Sequence, residues 1–127
     1  MFRMMRKAKI HRATVTQADL NYVGSVTIDQ TLMEAVGIVE EEKVLVVNVS
    51  TGDRFETYAL TGPPDSGVIC LNGGCARLGA VGDIILIISF ALCENSEVEN
   101  WEATTIHLDA QNRIIARSPA PRILASA

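Results

Sequence analysis

The run KVLVVNVS (residues 43–50), followed by TGD (51–53) and RFETYALT (54–61), decides the fold class. Its first part is apolar and β-branched, its centre places Gly52 between polar residues, and its last part resumes strand-forming residues. Two such runs joined by a short Gly-containing link predict a β-hairpin. Downstream, GPPDSG (62–67) reads as a loop. A strand from Val68 to Leu71 then leads into the tight turn Asn72-Gly73-Gly74, where backbone amides can come close to a ligand. Residues 75–78 form a helical turn, and Gly82-Asp83 opens a strand from Ile84 to Ala91. Upstream, Lys9, His11, Ala13 and Val15 alternate with Ile10, Arg12 and Thr14, as in a strand with two different faces. A short strand from Tyr22 to Gly24 follows the turn-like Gln17-Ala18-Asp19. Asp29 caps a short helix through Leu32, Met33 and Val36, and Gly37 takes the left-handed position that ends it. Beyond an acidic surface connection (94–102), two more short strands lie at 104–108 and 114–117. Many short strands with Gly-rich turns and few helices point to a sandwich or a closed barrel, and favour the barrel.

The chain has 127 residues, 48% of them apolar and 20% charged. That is one domain (1–127), large enough to bury roughly two-thirds of its unfolded surface. No internal repeat or linker interrupts it, and the Pro- and Ala-rich tail, residues 118–127, is expected to be mobile or an arm on a neighbour. Net charge is −4, with Arg3, Arg6, Lys7, Lys9 and Arg12 gathered near the N-terminus. An acidic total with scattered aromatic residues disfavours nucleic-acid binding. The apolar run from Ile84 to Cys93 is far short of the ~20 residues that span a bilayer, and no secretory signal is evident. No membrane association is therefore expected, and a cytoplasmic location is. Cys70, Cys75 and Cys93 are odd in number and read as small apolar residues, so no metal site is expected.

One peptide bond could be reactive. In Tyr22-Val23-Gly24-Ser25 a serine hydroxyl directly follows a glycine, which has no side chain to block approach to its carbonyl. Attack, ester formation and elimination would cut the chain into residues 1–24 and 25–127 and leave Ser25 as a pyruvoyl group. A strand-end serine hydrogen-bonded to backbone is the other reading of the same residues.

The wider pattern bears on that choice. Lys9-Ile10-His11-Arg12-Ala13, Tyr22-x-Gly24-Ser25, Ile28-Asp29, Gly37-Ile38, Asn48-Val49, Gly52-x-Arg54-Phe55-x-Thr57-Tyr58, Asn72-Gly73 and Val81-Gly82-Asp83 occur in order. Together they resemble the bacterial pyruvoyl-dependent aspartate 1-decarboxylases (L-aspartate α-decarboxylases), over about Lys9 to Phe90. The resemblance implies a mainly β fold, a small closed six-stranded double-psi β-barrel with short helices. It implies decarboxylation of L-aspartate to β-alanine for pantothenate and coenzyme A synthesis, through a Schiff base on a pyruvoyl group made from Ser25. It also implies a homotetramer with sites at subunit interfaces, an uncut zymogen, and no metal or pyridoxal phosphate. Whether a maturation factor assists is left open.

By that resemblance, Gly24, Ser25 and Thr57 serve self-cleavage, and Tyr58 donates the proton to the carbanion-like intermediate. Lys9, His11, Arg54, Thr57, Asn72, Gly73, Gly74 and Cys75 bind substrate. The residues themselves allow this and also blander roles. The fork of donors on Arg54 suits a carboxylate, yet a solvated hairpin arginine is common. Lys9 is a second cation for a substrate with two carboxylates, or one more residue of a basic face. His11 lies one strand period from Lys9, so the two share a face, and it could equally be a structural histidine. Neutral Tyr58 can donate a proton, or could simply be a core or interface residue. Thr57 and Tyr58, as strand neighbours, should point to opposite faces. Relatives usually carry alanines after Gly73 and often a tryptophan where Val47 stands, so Gly74, Cys75 and Val47 alter the pocket lining. The alternative is a non-catalytic barrel acting as a ligand-binding or oligomeric interaction module.

Overall fold

The hairpin about Gly52 is present in the computed structural model, which describes residues 1–119. In chain order the elements are β1 (Phe2–Thr14), β2 (Gln17–Asp19), β3 (Ser25–Asp29), α1 (Gln30–Val36), β4 (Lys43–Asn48), β5 (Arg54–Gly62), β6 (Ile69–Asn72), β7 (Ile84–Glu94), β8 (Thr104–Leu108) and β9 (Ile114–Ser118). Short 3-10 turns occupy Gly73–Arg77 and Asn95–Asn100. The class is mainly β with short helices. Among the described residues, nine strand segments stand where the family resemblance implies six, in the order β2-β6-β3-β5-β4-β7-β1-β8-β9.

The difference in count has a simple cause. Only Val15 and Thr16 separate β1 from β2, yet the two lie far apart in that order. The Val15 amide donates to the Asp83 carbonyl at the entry to β7, and the Thr16 amide donates to Ile69 of β6, both at 2.9 Å. One bent run therefore borders β7 on one side and β6 on the other. Taken with β3 to β7, it makes six strand positions, and β8 and β9 extend the sheet beyond β1. Three pairings are parallel (β1–β8, β2–β6 and β3–β5) within a sheet that is otherwise antiparallel.

Core residues come from alternate positions of the strands and one face of the helix. Ile10, Val26, Ile28, Val46, Ile69, Leu71, Ile85, Ile87 and Ile106 are fully buried, with Leu32, Met33 and Val36 of α1 packed against them. Asp29 caps α1 by accepting from the Thr31 amide at 2.8 Å. The same carboxylate accepts from the amides of Asp65 and Gly67 at 3.0 and 2.9 Å, tying the 62–67 loop to the helix start. Gly37 ends the helix at φ 77°, as the sequence predicts.

Two local expectations change. Residues 22–24 are not a strand: the chain turns at Leu20–Asn21 and β3 begins only at Ser25. Ala13 of β1 and Val15 just after it are buried together with Ala8 and Ile10, not on the face of Lys9 and His11. Arg12 sits at φ 64°, and the register against β7 shifts between Ile10 and Ala13. That β-bulge inserts a residue and turns the rest of the strand over. Of the 118–127 tail, Ser118 belongs to β9, paired with Thr105, and residues 120–127 lie outside the described residues.

Candidate active site

Ser25 opens β3 directly opposite Asn72 of the antiparallel strand β6, and Thr27 lies opposite Cys70. Alternate strand residues share a face, so the four side chains meet. Ser25 is completely buried. Its Oγ accepts from Asn72 Nδ2 at 2.9 Å and donates to the Val23 carbonyl at 3.1 Å. Asn72 Nδ2 also donates to Thr27 Oγ1 at 2.9 Å, while Asn72 Oδ1 accepts from the Cys70 thiol at 3.0 Å. The hydroxyl is thus held against the segment that precedes it, on a side chain with little freedom to turn away.

Gly24 and Gly73 differ in what they leave room for. No atom lies within 4 Å of where a Gly24 Cβ would stand, so packing does not require glycine there. Gly73 is left-handed at φ +64°, and a Cβ on it would fall 2.7 Å from both the Tyr22 carbonyl oxygen and the Gly24 amide nitrogen. The start of the Gly73–Arg77 turn therefore presses directly on the backbone that carries the Gly24–Ser25 bond.

A concavity opens beside this bond, lined by Gly24, Thr57, Tyr58, Gly74 and Cys75 together with Phe55, Glu56 and Leu78. Thr57 and Tyr58 both border it, as do their neighbours Phe55 and Glu56, so the rim follows consecutive residues of β5. Lys43 of β4 pairs with Tyr58, whereas β3 joins β5 only from Val26, opposite Ala59. On the β3 side, residues 54–58 are therefore an unpaired edge that borders the opening. A second concavity, between Met4, Phe90 and residues 43–45, carries only Lys43 and Glu56 as charged groups, and these pair with each other.

The cations lie elsewhere. Lys9 and His11 are on the face of β1 opposite buried Ala8 and Ile10, and Arg54 is exposed at the start of β5. In the strand order β1 and β5 are separated by β4 and β7, and neither Lys9, His11 nor Arg54 lines the concavity at Gly24. His11 packs edge-on to His107, ring centroids 4.9 Å apart, and its buried Nδ1 has no hydrogen-bond partner. Burial, and then the charges of Lys9, His107 and Arg12, hold the His11 pKa below its ordinary value. Burial and the Asp19 carboxylate push the Cys70 thiol up. Among the described residues, no cluster of three or more His, Cys, Asp or Glu side chains is placed to hold a metal ion.

The single chain thus brings together Gly24, Ser25, Thr57, Tyr58, Asn72, Gly73, Gly74 and Cys75, and leaves Lys9, His11 and Arg54 apart from them. Sequence reasoning missed Thr27 and Cys70, which share the Asn72 amide with Ser25. Several motif residues prove architectural: Asn48 donates to the Leu78 carbonyl and to Asp83, and Asp29 holds the helix start.

A family model described as aspartate decarboxylase matches residues 1–115. Among curated proteins, the aspartate 1-decarboxylase of Heliobacterium modesticaldum is 55% identical over 91% of this chain and 88% of its own length. That of Cytophaga hutchinsonii is 55% identical over 86% of this chain and 95% of its own. That of Lactiplantibacillus plantarum is 56% identical over 89% and 87%. Among solved structures, the rationally designed protein mkDPBB_sym_86 is similar at a TM-score of 0.46 and 12% identity, covering 62% of this chain and 91% of that one.

Proposed function

We propose that this chain, which belongs to the aspartate decarboxylase family and converts L-aspartate to β-alanine and carbon dioxide, does so through a pyruvoyl group that Ser25 forms by breaking the Gly24–Ser25 bond. Family membership decides against the non-catalytic barrel. The product supplies pantothenate synthesis, as it does in the family.

One observation carries the proposal: the buried Ser25 hydroxyl is hydrogen-bonded back to the Val23 carbonyl and held from the other side by Asn72. From there Oγ adds to the Gly24 carbonyl carbon, the C–N bond breaks, and the nitrogen takes the hydroxyl proton, leaving an ester. Loss of the Ser25 Cα proton expels the Gly24 carboxylate. Water then replaces the nitrogen, which leaves as ammonia, and a methyl ketone remains at the new N-terminus of residues 25–127. Open space at Gly24 and the support of Gly73 beneath its backbone fit this chemistry. Asn72 holds Oγ during the attack, and Thr57, at the free edge of β5, assists.

The pyruvoyl group supplies a ketone for the substrate amine and a sink for the electrons of the departing carboxylate. The chain's own residues do the rest. Gly74 and Cys75 offer backbone amides to a substrate carboxylate beside Asn72 and Gly73. Tyr58 borders the same opening and returns a proton to carbon. Lys9 and Arg54 supply the positive side of the site from a neighbouring copy, with His11 beside Lys9 as a neutral polar group, because within one chain the three lie apart from Ser25. That division supports sites between subunits, and the assembly we read is the homotetramer that the family resemblance implies. No helix among the described residues is long and apolar enough to cross a membrane; the biosynthetic role of the family supports a cytoplasmic location.

Denaturing electrophoresis with intact mass tests the reading directly. Purified active enzyme is expected as two pieces, 1–24 and 25–127, the larger with a blocked, ketone-bearing N-terminus. Ser25→Ala should remain uncut and release no carbon dioxide. An active sample made wholly of uncut chain overturns the proposal.

A further inference from the structure

We propose that Cys70 is a positioning residue for self-cleavage: its thiol determines which end of the Asn72 amide faces Ser25. The inference rests on the self-cleavage reading above. An asparagine amide has two ends of nearly equal size and opposite character, an oxygen that only accepts and a nitrogen that only donates. Which end meets Ser25 depends on the other partners of the amide. Here Cys70 Sγ donates to Asn72 Oδ1 at 3.0 Å, leaving both protons of Nδ2 for Ser25 Oγ and Thr27 Oγ1, each at 2.9 Å.

The orientation matters to the hydroxyl. With nitrogen facing it, Ser25 Oγ accepts from Asn72 and its own proton points to the Val23 carbonyl. With oxygen facing it, the Ser25 proton would turn to Asn72 and the bond to Val23 would be lost. The hydroxyl would then point its lone pairs elsewhere at the moment it must attack. Thr27 does not break the tie, since a hydroxyl can accept from nitrogen or donate to oxygen. Cys70 does, provided that it stays protonated. It is buried, carries no disulfide, and its titration is displaced upward by burial and by Asp19. A buried thiol that merely filled space would do as well with its donor removed.

The experiment follows the cut fraction against time after a pulse of synthesis, by intact mass, for the full-length chain and for Cys70→Ser, Cys70→Ala and Cys70→Val. Thermal stability of each is measured with Ser25→Ala added, so that all are uncut. Cys70→Ser keeps a donor and should cleave within a few-fold of the unaltered chain. Cys70→Ala and Cys70→Val lack one and should cleave about tenfold more slowly or worse, the scale of one lost hydrogen bond, whichever of them is the more stable. Equal cleavage in all four chains, or rates that follow stability and ignore the donor, overturns the role of Cys70 and leaves self-cleavage standing. An unaltered chain that is active but never cut removes both.

Discussion

Gly73 and Gly74 are adjacent, and the structure gives them opposite tolerance to a methyl group. On Gly73 a Cβ would stand 2.7 Å from Tyr22 O and Gly24 N and 2.8 Å from Gly24 Cα, all backbone atoms. Ordinary carbon contacts begin at about 3.5 Å, so relief requires the two segments to part by roughly 1 Å. The left-handed φ of +64° costs an alanine about 1–2 kcal/mol, and overpacking adds about 1–3 kcal/mol. Together these make about 2–5 kcal/mol, within the roughly 5–15 kcal/mol that holds a domain folded. Gly73→Ala should therefore fold, with its melting temperature lowered by roughly 10 °C when measured beside Ser25→Ala alone. The displaced atoms lead directly into the peptide to be attacked, which Gly24 Cα begins. A misplacement of about 1 Å can slow a reaction about 10²-fold, so cleavage should fall by one to two powers of ten. Gly74 has open space at its Cβ position and an ordinary φ, and Gly74→Ala should cleave and melt like the unaltered chain. Full-rate cleavage of Gly73→Ala at an unchanged melting temperature refutes the reasoning, as does equal damage from the two substitutions.

Tyr58→Phe should still be cut, because Tyr58 acts on substrate carbon, while decarboxylation by the cut enzyme falls about 10²-fold or more; loss of cleavage would assign it elsewhere. For His11 the folded pKa is lowered by burial first and then by Lys9, His107 and Arg12, so the unfolded chain takes up the proton first as pH falls. Its share of stability should be intact above the ordinary histidine pKa of ~6.5 and be lost as pH falls from there through the folded midpoint, which NMR titration and melting curves of His11→Gln would check. Asp29→Ala removes the acceptor of three amides, those of Thr31, Asp65 and Gly67. It should cost about 3 kcal/mol or more in denaturant titrations, and a loss under about 1 kcal/mol would contradict the anchoring role.

What the sequence made legible was whatever its local rules govern. The hairpin, the Asp29 cap and the Gly37 stop each depend on a few neighbouring residues, and each stands where those residues place it. The bond proposed to cleave is a candidate for the same reason, since hydroxyl and carbonyl are adjacent in the chain. Strand alternation failed at one place, a backbone event that a period of two cannot see. At Arg12 an inserted residue turns β1 over, so Ala13 and Val15 join Ile10 in the core.

The Cys70–Asn72–Ser25 network was beyond reach for another reason. It exists only because β3 and β6, more than forty residues apart in the chain, pair with Ser25 against Asn72 and Thr27 against Cys70. A shift of one residue in that register would send alternate side chains to the other face and dissolve the network, although every residue type would remain. Composition made Cys70 a small apolar residue, and it is indeed buried. Only register shows that its one weak donor is spent on the amide that holds the nucleophile. The chemistry adjacent in sequence therefore sets what can react, and the pairing of distant strands sets whether it is aimed.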